Sequence, residues 1–239
     1  MLAYAKSDIG LSRKTNEDNF ECGAFNLYIV ADGMGGHLAG EVASSLVIKE
    51  IKNYINSHIH TYVEDYGELL KLSILYANDI IYNKSLADPL YKGMGTTVSA
   101  VWFIDNKIFW AHVGDSRIYL LKDGNLGQIT KDHSLVNDLL EKGEIEKESI
   151  PTHPLRNMLT RAVGVNEDLE VDTGYMKVNQ GNYVLLTTDG LTNLISDDEL
   201  KDIILTNQCN LSKSLDIFIE KAIAAGGEDN ITAILIGDF

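Results

Sequence analysis

Four aspartates stand where apolar runs stop. "YIVAD" closes on Asp32, "AHVGD" on Asp115 and "VLLTTD" on Asp189, while Asp229 immediately precedes the strand-like "NITAILI". A single aspartate at such a place is ordinary, because turns favour it. Four near the edge of one sheet need another account, since burying several anions together is costly unless a cation offsets their charge. All the candidate donors are oxygens, with no His-rich or Cys-rich companion set, which favours a hard divalent ion such as Mg²⁺ or Mn²⁺ over zinc. Gly33, directly after Asp32, has no side chain to obstruct its carbonyl, so its backbone can approach such an ion.

The glycines of "ADGMGGHLAG" at 31–40 raise a competing reading, a phosphate cradle. Spacing excludes it. A dinucleotide fingerprint starting at Gly33 needs glycine at position 38, which is Leu38, and a P-loop needs a Gly-Lys-Ser/Thr that is absent. "KGMGTT" at 92–97 fails in the same way. Ser116 lies between Asp115 and Arg117 rather than in a nucleophile elbow, and no Ser-His-Asp arrangement is legible. His112, in an apolar run, reads as a satisfied core histidine, and Trp102 and Trp110 read as core.

The elements that must hold these carboxylates come next. With 239 residues, 45% hydrophobic and 23% charged, the chain has the composition of a folded, soluble protein. Its formal net charge of −15, from 35 acidic and 20 basic residues, repels phosphate backbones and anionic lipid, so neither nucleic acid nor a membrane surface is expected as partner. Cys22 and Cys209 are far apart and outside any CxxC spacing, as for free thiols in a reducing compartment. The N-terminal MLAYAKSDIG lacks the pattern of a signal peptide and no apolar stretch is long enough to span a bilayer, so a cytoplasmic location is expected. No linker, low-complexity tract or repeat interrupts the sequence, which predicts a single domain over 1–239.

Leu2 to Ser7, Asn19 to Cys22 and Leu27 to Ala31 read as early strands. Val47, Ile51, Ile55 and Ile59 recur at helical spacing, and Leu69, Leu72, Tyr76 and Ile80 repeat the pattern up to Asp88-Pro89, where a helix must end. Val98, Ala100, Trp102 and Ile104 then alternate, Asp105-Asn106 can turn, and Ile108 to Val113 returns, which is an antiparallel meander. Asp123-Gly124 has the chemistry of a tight hairpin turn. Residues Asp132 to Arg156 are polar and mixed, an excursion with a short helical piece at Leu135 to Lys142 and a flap-like part at about 134–152. Helices around Asp197 to Thr206 and Leu211 to Ala225, then a closing strand, complete a blockwise α+β pattern.

An ordered series of segments spans the chain: "SDIGLSRKTNEDN" at 7–19, "ADGMGGHLAGEVAS" at 31–44, "GMGTT" at 93–97, "AHVGDSRIYL" at 111–120, "ITKDHS" at 129–134, "HPLRNMLTRAVG" at 153–164, "LLTTDGL" at 185–191 and "GGEDNIT" at 226–232. The series resembles the metal-dependent serine/threonine protein phosphatases of the protein phosphatase 2C type, in their compact bacterial form. The resemblance implies a four-layer αββα sandwich, two antiparallel sheets flanked by helices, with two tightly bound Mn²⁺ or Mg²⁺ ions at one edge. It implies that Asp32 bridges the two metals, that the Gly33 carbonyl binds the first, and that Asp189 and Asp229 complete the second. Glu17 and Asp18 would act through metal-bound waters, Arg13 would bind the substrate phosphate, and Asp115 would share a weaker third ion with Asp189.

The implied reaction is hydrolysis of phosphoserine and phosphothreonine on proteins by a hydroxide bridging the two metals, in a monomer that opposes a bacterial serine/threonine kinase. Two alternatives stay open: a pseudophosphatase that binds phosphoproteins without turnover, and a regulatory phosphatase acting on one partner-switching protein. One departure stands out. Many eukaryotic relatives have histidine directly after the Asp-Gly pair as a proposed general acid, whereas this chain has Met34 there and His37 three places later, so the role is not transferred; packing or capping of the next helix is the expectation for His37.

Overall fold

The computed structural model describes residues 1–36, 39–60 and 65–237; His37, and with it any capping role, lies outside them. Among the described residues eleven strands form two sheets. One sheet runs in the order β1 (Leu2–Asp8), β11 (Ile231–Gly237), β10 (Tyr183–Thr187), β7 (Arg117–Lys122), β8 (Asn125–Gln128). The other runs β2 (Asp18–Cys22), β3 (Leu27–Met34), β5 (Val98–Ile104), β6 (Lys107–Val113), β9 (Asp172–Lys177), with the two-residue β4 (Gly95–Thr96) paired to β3. Every pairing is antiparallel.

Helices α1 (Ala39–His58) and α2 (Tyr66–Ala87) cover the sheet that contains β3, while α5 (Asp197–Thr206) and α6 (Leu211–Ala224) cover the other. The two sheets face each other through Tyr28, Val30, Val101, Ile118, Val184, Ile234 and neighbours. The layers are therefore helix, sheet, sheet, helix, the αββα order the resemblance implies. Alternation explains the arrangement: along β3, Leu27, Ile29 and Ala31 face α1 and α2, while Tyr28 and Val30 face the opposite sheet. A strand buried on both faces reads as a continuous apolar run, as "LYIVA" does.

Local signals set the ends of the helices. The Asp65 side chain accepts from Glu68 N at the start of α2, and Asp88-Pro89 stops it. Ser196 and Glu199 close a reciprocal capping box at α5. In α1 the buried face is Val47, Ile51 and Ile55 as the spacing predicts, with Ile59 just past the last turn. In α2 Leu69 is buried as expected, but beyond it the face is rotated: Leu70, Ile74, Ala77 and Ile81 are buried and Tyr76 is exposed. The stripe was obscured by polar residues within it, since Ser73 and Asn78 are buried too. Asn78 meets its needs by donating to Asn166 O and Glu167 O and accepting from Gly164 N, so it ties α2 to a loop.

Two smaller differences bear on the site. β3 does not stop at Ala31; it runs through Asp32 and Gly33 to Met34, because β2 and β4 extend the pairing on either side. Between β8 and β9 the excursion carries α3 (Leu135–Glu141) and a 3₁₀ turn at Lys147–Thr152. Its stems pair through Leu135 N to Met158 O at 2.8 Å and Thr160 N to His133 O at 2.9 Å, so it extends past 152 to about residue 157. Asp123 and Gly124 have φ of 51° and 76°, as a primed hairpin turn requires. Trp102 is fully buried and Trp110 half-buried. His112 is a core residue, bonded to Ser99 Oγ and Lys131 O.

Candidate functional site

One end of the sandwich collects the acids. Asp32 and Asp18 are cross-strand partners on β3 and β2. From the other sheet, Asp189 opens the short helix α4 (Asp189–Thr192) just after β10, and Asp229 stands two residues before β11. Asp115 lies in the short link by which the chain leaves β6 for β7, crossing from one sheet to the other. Each sheet thus supplies part of the set, and no stretch of sequence holds more than two members.

Arg13, Glu17, Asp32, Gly33, Asp115, Asp189 and Asp229 line one cavity of about 400 Å³. Of the residues singled out from the sequence, Asp18 alone is absent from that lining. It sits behind Asp32, 8% exposed, with Oδ2 accepting from Thr188 Oγ1 at 2.8 Å. Among the described residues its other oxygen has no hydrogen-bond partner, and neither has Oδ1 of Asp189. Buried carboxylate oxygens left bare are costly, so these two are directed at something other than protein.

The electrostatics agree. Burial, reinforced by Asp18, Asp189, Asp115 and Asp229, pushes the Asp32 carboxyl well above the usual carboxylate range. Burial does the same to Asp115, with Asp189 adding to it, and raises Asp189, with Asp229 adding. Asp18 is raised to about 7, again chiefly by burial. Glu17 is raised by burial despite the neighbouring Arg13. Such a group must either hold protons or be neutralised by cations. The donor set is all oxygen, which fits hard divalent ions. Among the described residues no three Asp, Glu, His or Cys side chains already close into a ligand cluster. The acids instead ring the cavity, an arrangement suited to an ion that keeps several waters.

Backbone and neutral side chains fix the carboxylates in place. Asp32 N donates to Thr97 Oγ1 at 2.9 Å, Thr97 N donates to Asp32 O at 2.9 Å, and Thr97 Oγ1 meets Ser116 Oγ at 2.7 Å. This chain of contacts couples the Asp32 strand to the Asp115 link. Asp189 Oδ2 accepts from Asn193 Nδ2 at 3.0 Å. Asn230 is the hub for the N-terminal loop: its Oδ1 accepts from Glu17 N at 2.8 Å and its Nδ2 donates to Ile9 O and Thr15 O. Asp229 Oδ2 accepts from Arg13 Nη2 at 2.7 Å, and the ion pair keeps Arg13 more basic than usual.

Gly33 is demanded by close approach. A methyl there would lie 2.1 Å from Gly40 O and 2.6 Å from Glu17 O, both backbone atoms. The first turn of α1 and the Glu17 backbone therefore press directly on the strand, and Ser44 Oγ locks the contact by donating to Glu17 O at 2.6 Å. Met34 also lines the cavity, directly after the Asp32-Gly33 pair.

Thr97, Thr188, Asn193 and Asn230 were not singled out from the sequence. A usable signal existed for one of them: Glu-Asp-Asn occurs at 17–19 and again at 228–230, and the second asparagine binds the backbone of the first glutamate. The threonines and Asn193 carry no such mark, because they act through a single hydrogen bond that any loop residue can make.

A sequence profile described as Protein phosphatase 2C matches residues 13–220. The serine/threonine phosphatase stp of Listeria welshimeri is 41% identical over 99% of this chain and 95% of its own length. The protein phosphatase PhpP of Streptococcus pneumoniae is 36% identical over 96% of this chain and 94% of its own. Among solved structures, the Mycobacterium tuberculosis serine/threonine phosphatase PstP/Ppp superposes with a TM-score of 0.90 at 36% identity, covering 98% of this chain and 97% of that one. A catalytic domain of PstP in complex with two manganese ions superposes with a TM-score of 0.87 at 35% identity, covering 98% and 96%.

Proposed function

The chain belongs to the protein phosphatase 2C family and is a protein serine/threonine phosphatase, and on that premise we propose that it hydrolyses phosphoserine and phosphothreonine esters with water, using two divalent cations, Mn²⁺ or Mg²⁺, that its acidic cavity would hold. The observation that carries this reading is the crowding of Asp32, Asp115 and Asp189, all with raised affinity for protons, around one cavity that also receives Arg13, with Asp18, raised as well, buried behind Asp32. When bound, the cations supply an activated water and neutralise charge on the phosphoryl oxygens.

The chain's own residues do the rest. Asp32, Asp189, Asp229 and the Gly33 carbonyl would hold the ions, with Glu17 and Asp18 acting through intervening waters. Asp115 would share a weaker third ion with Asp189, the neighbouring charge that does most to raise the Asp115 carboxyl. Arg13 presents a planar fork to two phosphate oxygens, and its pairing with Asp229 aims it into the cavity. Met34 cannot exchange a proton, so a side-chain general acid at that position is excluded, and a water would protonate the departing alkoxide instead. The ester substrate is the product of a serine/threonine kinase, which sets this enzyme against such a kinase. The excursion from 134 reaches the cavity rim and is assigned to recognition of the phosphoprotein.

Hydrolysis of a phosphothreonine peptide with Mn²⁺, with and without chelator, tests the proposal. Turnover that chelation removes and Mn²⁺ restores is expected. Binding of the phosphopeptide without turnover, with metal bound, would favour the phosphoprotein-binding module instead.

A further inference from the structure

Among the described residues three arginines are the basic side chains that line the acid cavity and the two cavities beside it. Arg13 lines the acid cavity and a neighbouring one of about 330 Å³; Arg117 lines a third of about 170 Å³ on the side of Asp115. Both have counter-ions within the protein: Arg13 pairs with Asp229 at 2.7 Å, and Arg117 forks onto Asp132 at 2.6 Å. The third, Arg156, lines both flanking cavities and stands where they meet, with Pro151 and Asn193. Among the described residues its guanidinium has neither an ion pair nor a hydrogen bond. Glu228 lines one of these cavities without pairing to it.

An exposed arginine is usually only solvated. Two features separate Arg156 from that case. Its backbone is fixed: Arg156 N donates to His153 O at 3.1 Å, and two residues on the stem pairs with Leu135 through Met158 O. Its position is also shared by both cavities that open from the acid-lined one, so a peptide leaving the centre through either lies alongside it. A guanidinium is weakly hydrated and matches carboxylate or phosphate through paired donors.

Resting on the phosphatase reading, we infer that Arg156 is a specificity determinant that binds a second anionic group of the phosphoprotein, beside the phosphoryl group that is removed. The source of that anion is either an Asp or Glu side chain or a second phosphorylated residue. On a surface of net charge −15 such a contact decides which acidic sequences are admitted at all.

The test compares one phosphothreonine peptide carrying Glu, Gln, Lys or a second phosphoserine beside the target, together with a small aryl phosphate, using the Mn²⁺-loaded enzyme and its R156A and R156E variants. The wild type should prefer the Glu or doubly phosphorylated peptide over the Gln peptide by about three- to tenfold in kcat/KM, mostly through KM. R156A should lose that ratio and R156E should shift it toward the Lys peptide. The preferred anion identifies the source. Equal Glu-to-Gln ratios in wild type and R156A, or an equal loss on every substrate including the aryl phosphate, would overturn the assignment, the latter marking a structural role. Anisotropy with labelled, non-hydrolysable phosphonate peptides reads the same preference without turnover. A preference there that R156A abolishes, with no hydrolysis of any substrate, would overturn the enzymatic reading and keep this one.

Discussion

Removing the cations should make the folded protein less stable as the pH rises, the reverse of the usual trend for acid-sensitive proteins. A carboxyl whose pKa is higher in the folded than in the unfolded chain holds its proton more tightly when folded, so raising the pH costs the folded state. Asp18 stands at about 7 against an ordinary value of 3.8. Linkage over that shift gives a loss of about 2 kcal/mol between pH 5.5 and pH 8 from Asp18 alone. Asp32, Asp115 and Asp189 are raised as well and contribute in the same direction. For a chain of this size each kcal/mol moves Tm by roughly 2–4 °C, so Tm in chelator should fall by at least about 4 °C across the window. With excess Mn²⁺ the slope should reverse, because the ion takes the deprotonated carboxylates and its stabilisation grows as they ionise. Calorimetric melts in EDTA and in Mn²⁺ at the two pH values decide this without reference to activity. Asp18→Asn, which keeps an acceptor for Thr188, should flatten the slope in EDTA. A chelated protein that melts higher at pH 8 than at pH 5.5, or a Mn²⁺ increment equal at both, refutes the reasoning.

Asp32→Asn should abolish phosphopeptide turnover while raising Tm in chelator, since it removes a buried charge from a repulsive set; a fall in both would mean that Asp32 serves the fold rather than the centre. Gly33→Ala should cost about 3 kcal/mol, at the upper end for overpacking because both obstructing atoms are backbone, and lower Tm by roughly 6–12 °C; a shift within 2 °C would show that the α1 contact yields freely. Arg13→Ala should raise KM for phosphopeptides by more than it lowers kcat, because a phosphate ligand is lost while the acids remain, with partial recovery in Arg13→Lys; steady-state kinetics on the three proteins separates this from loss of metal.

The sequence shows the site better than it shows the supports of the site. Asp32, Asp115, Asp189 and Asp229 were legible because each borders a hydrophobic run, and the ends of those runs, drawn from both sheets, meet at one end of the sandwich. That Asp32 lies inside β3 rather than at its end was not legible, since the extra pairing comes from β4, two residues that no propensity marks. The rotated face of α2 had a similar cause: Asn78 and Ser73 look like surface residues until the loop at 164–167 comes round to pair with Asn78. Asn230 could have been read only by noticing that the two Glu-Asp-Asn triplets must meet in space. Non-local hydrogen bonds of this kind leave almost no periodic trace.

The division of the acids between sheets has a consequence for how the centre works. Asp18 and Asp32 belong to one sheet, Asp189 and Asp229 to the other, and Asp115 to the crossing between them. Among the described residues the direct ties between these ends include Thr188 to Asp18, the Asn230 bonds to the N-terminal loop, Arg13 to Asp229, and the contacts of Ser116 with Thr97 and Ser99. Apolar packing through Val30, Val101, Val184 and Ile234 holds the sheets together deeper in the sandwich, but it does not fix carboxylate oxygens against one another to the precision that phosphoryl transfer needs. Cations held by acids from both sheet ends would set that spacing themselves, so metal affinity, the stability of the sheet ends and the geometry available to a phosphoryl group would be one coupled quantity. The Thr97, Thr188 and Asn230 contacts are then best understood as limiting how far the repelling ends separate before the ions arrive.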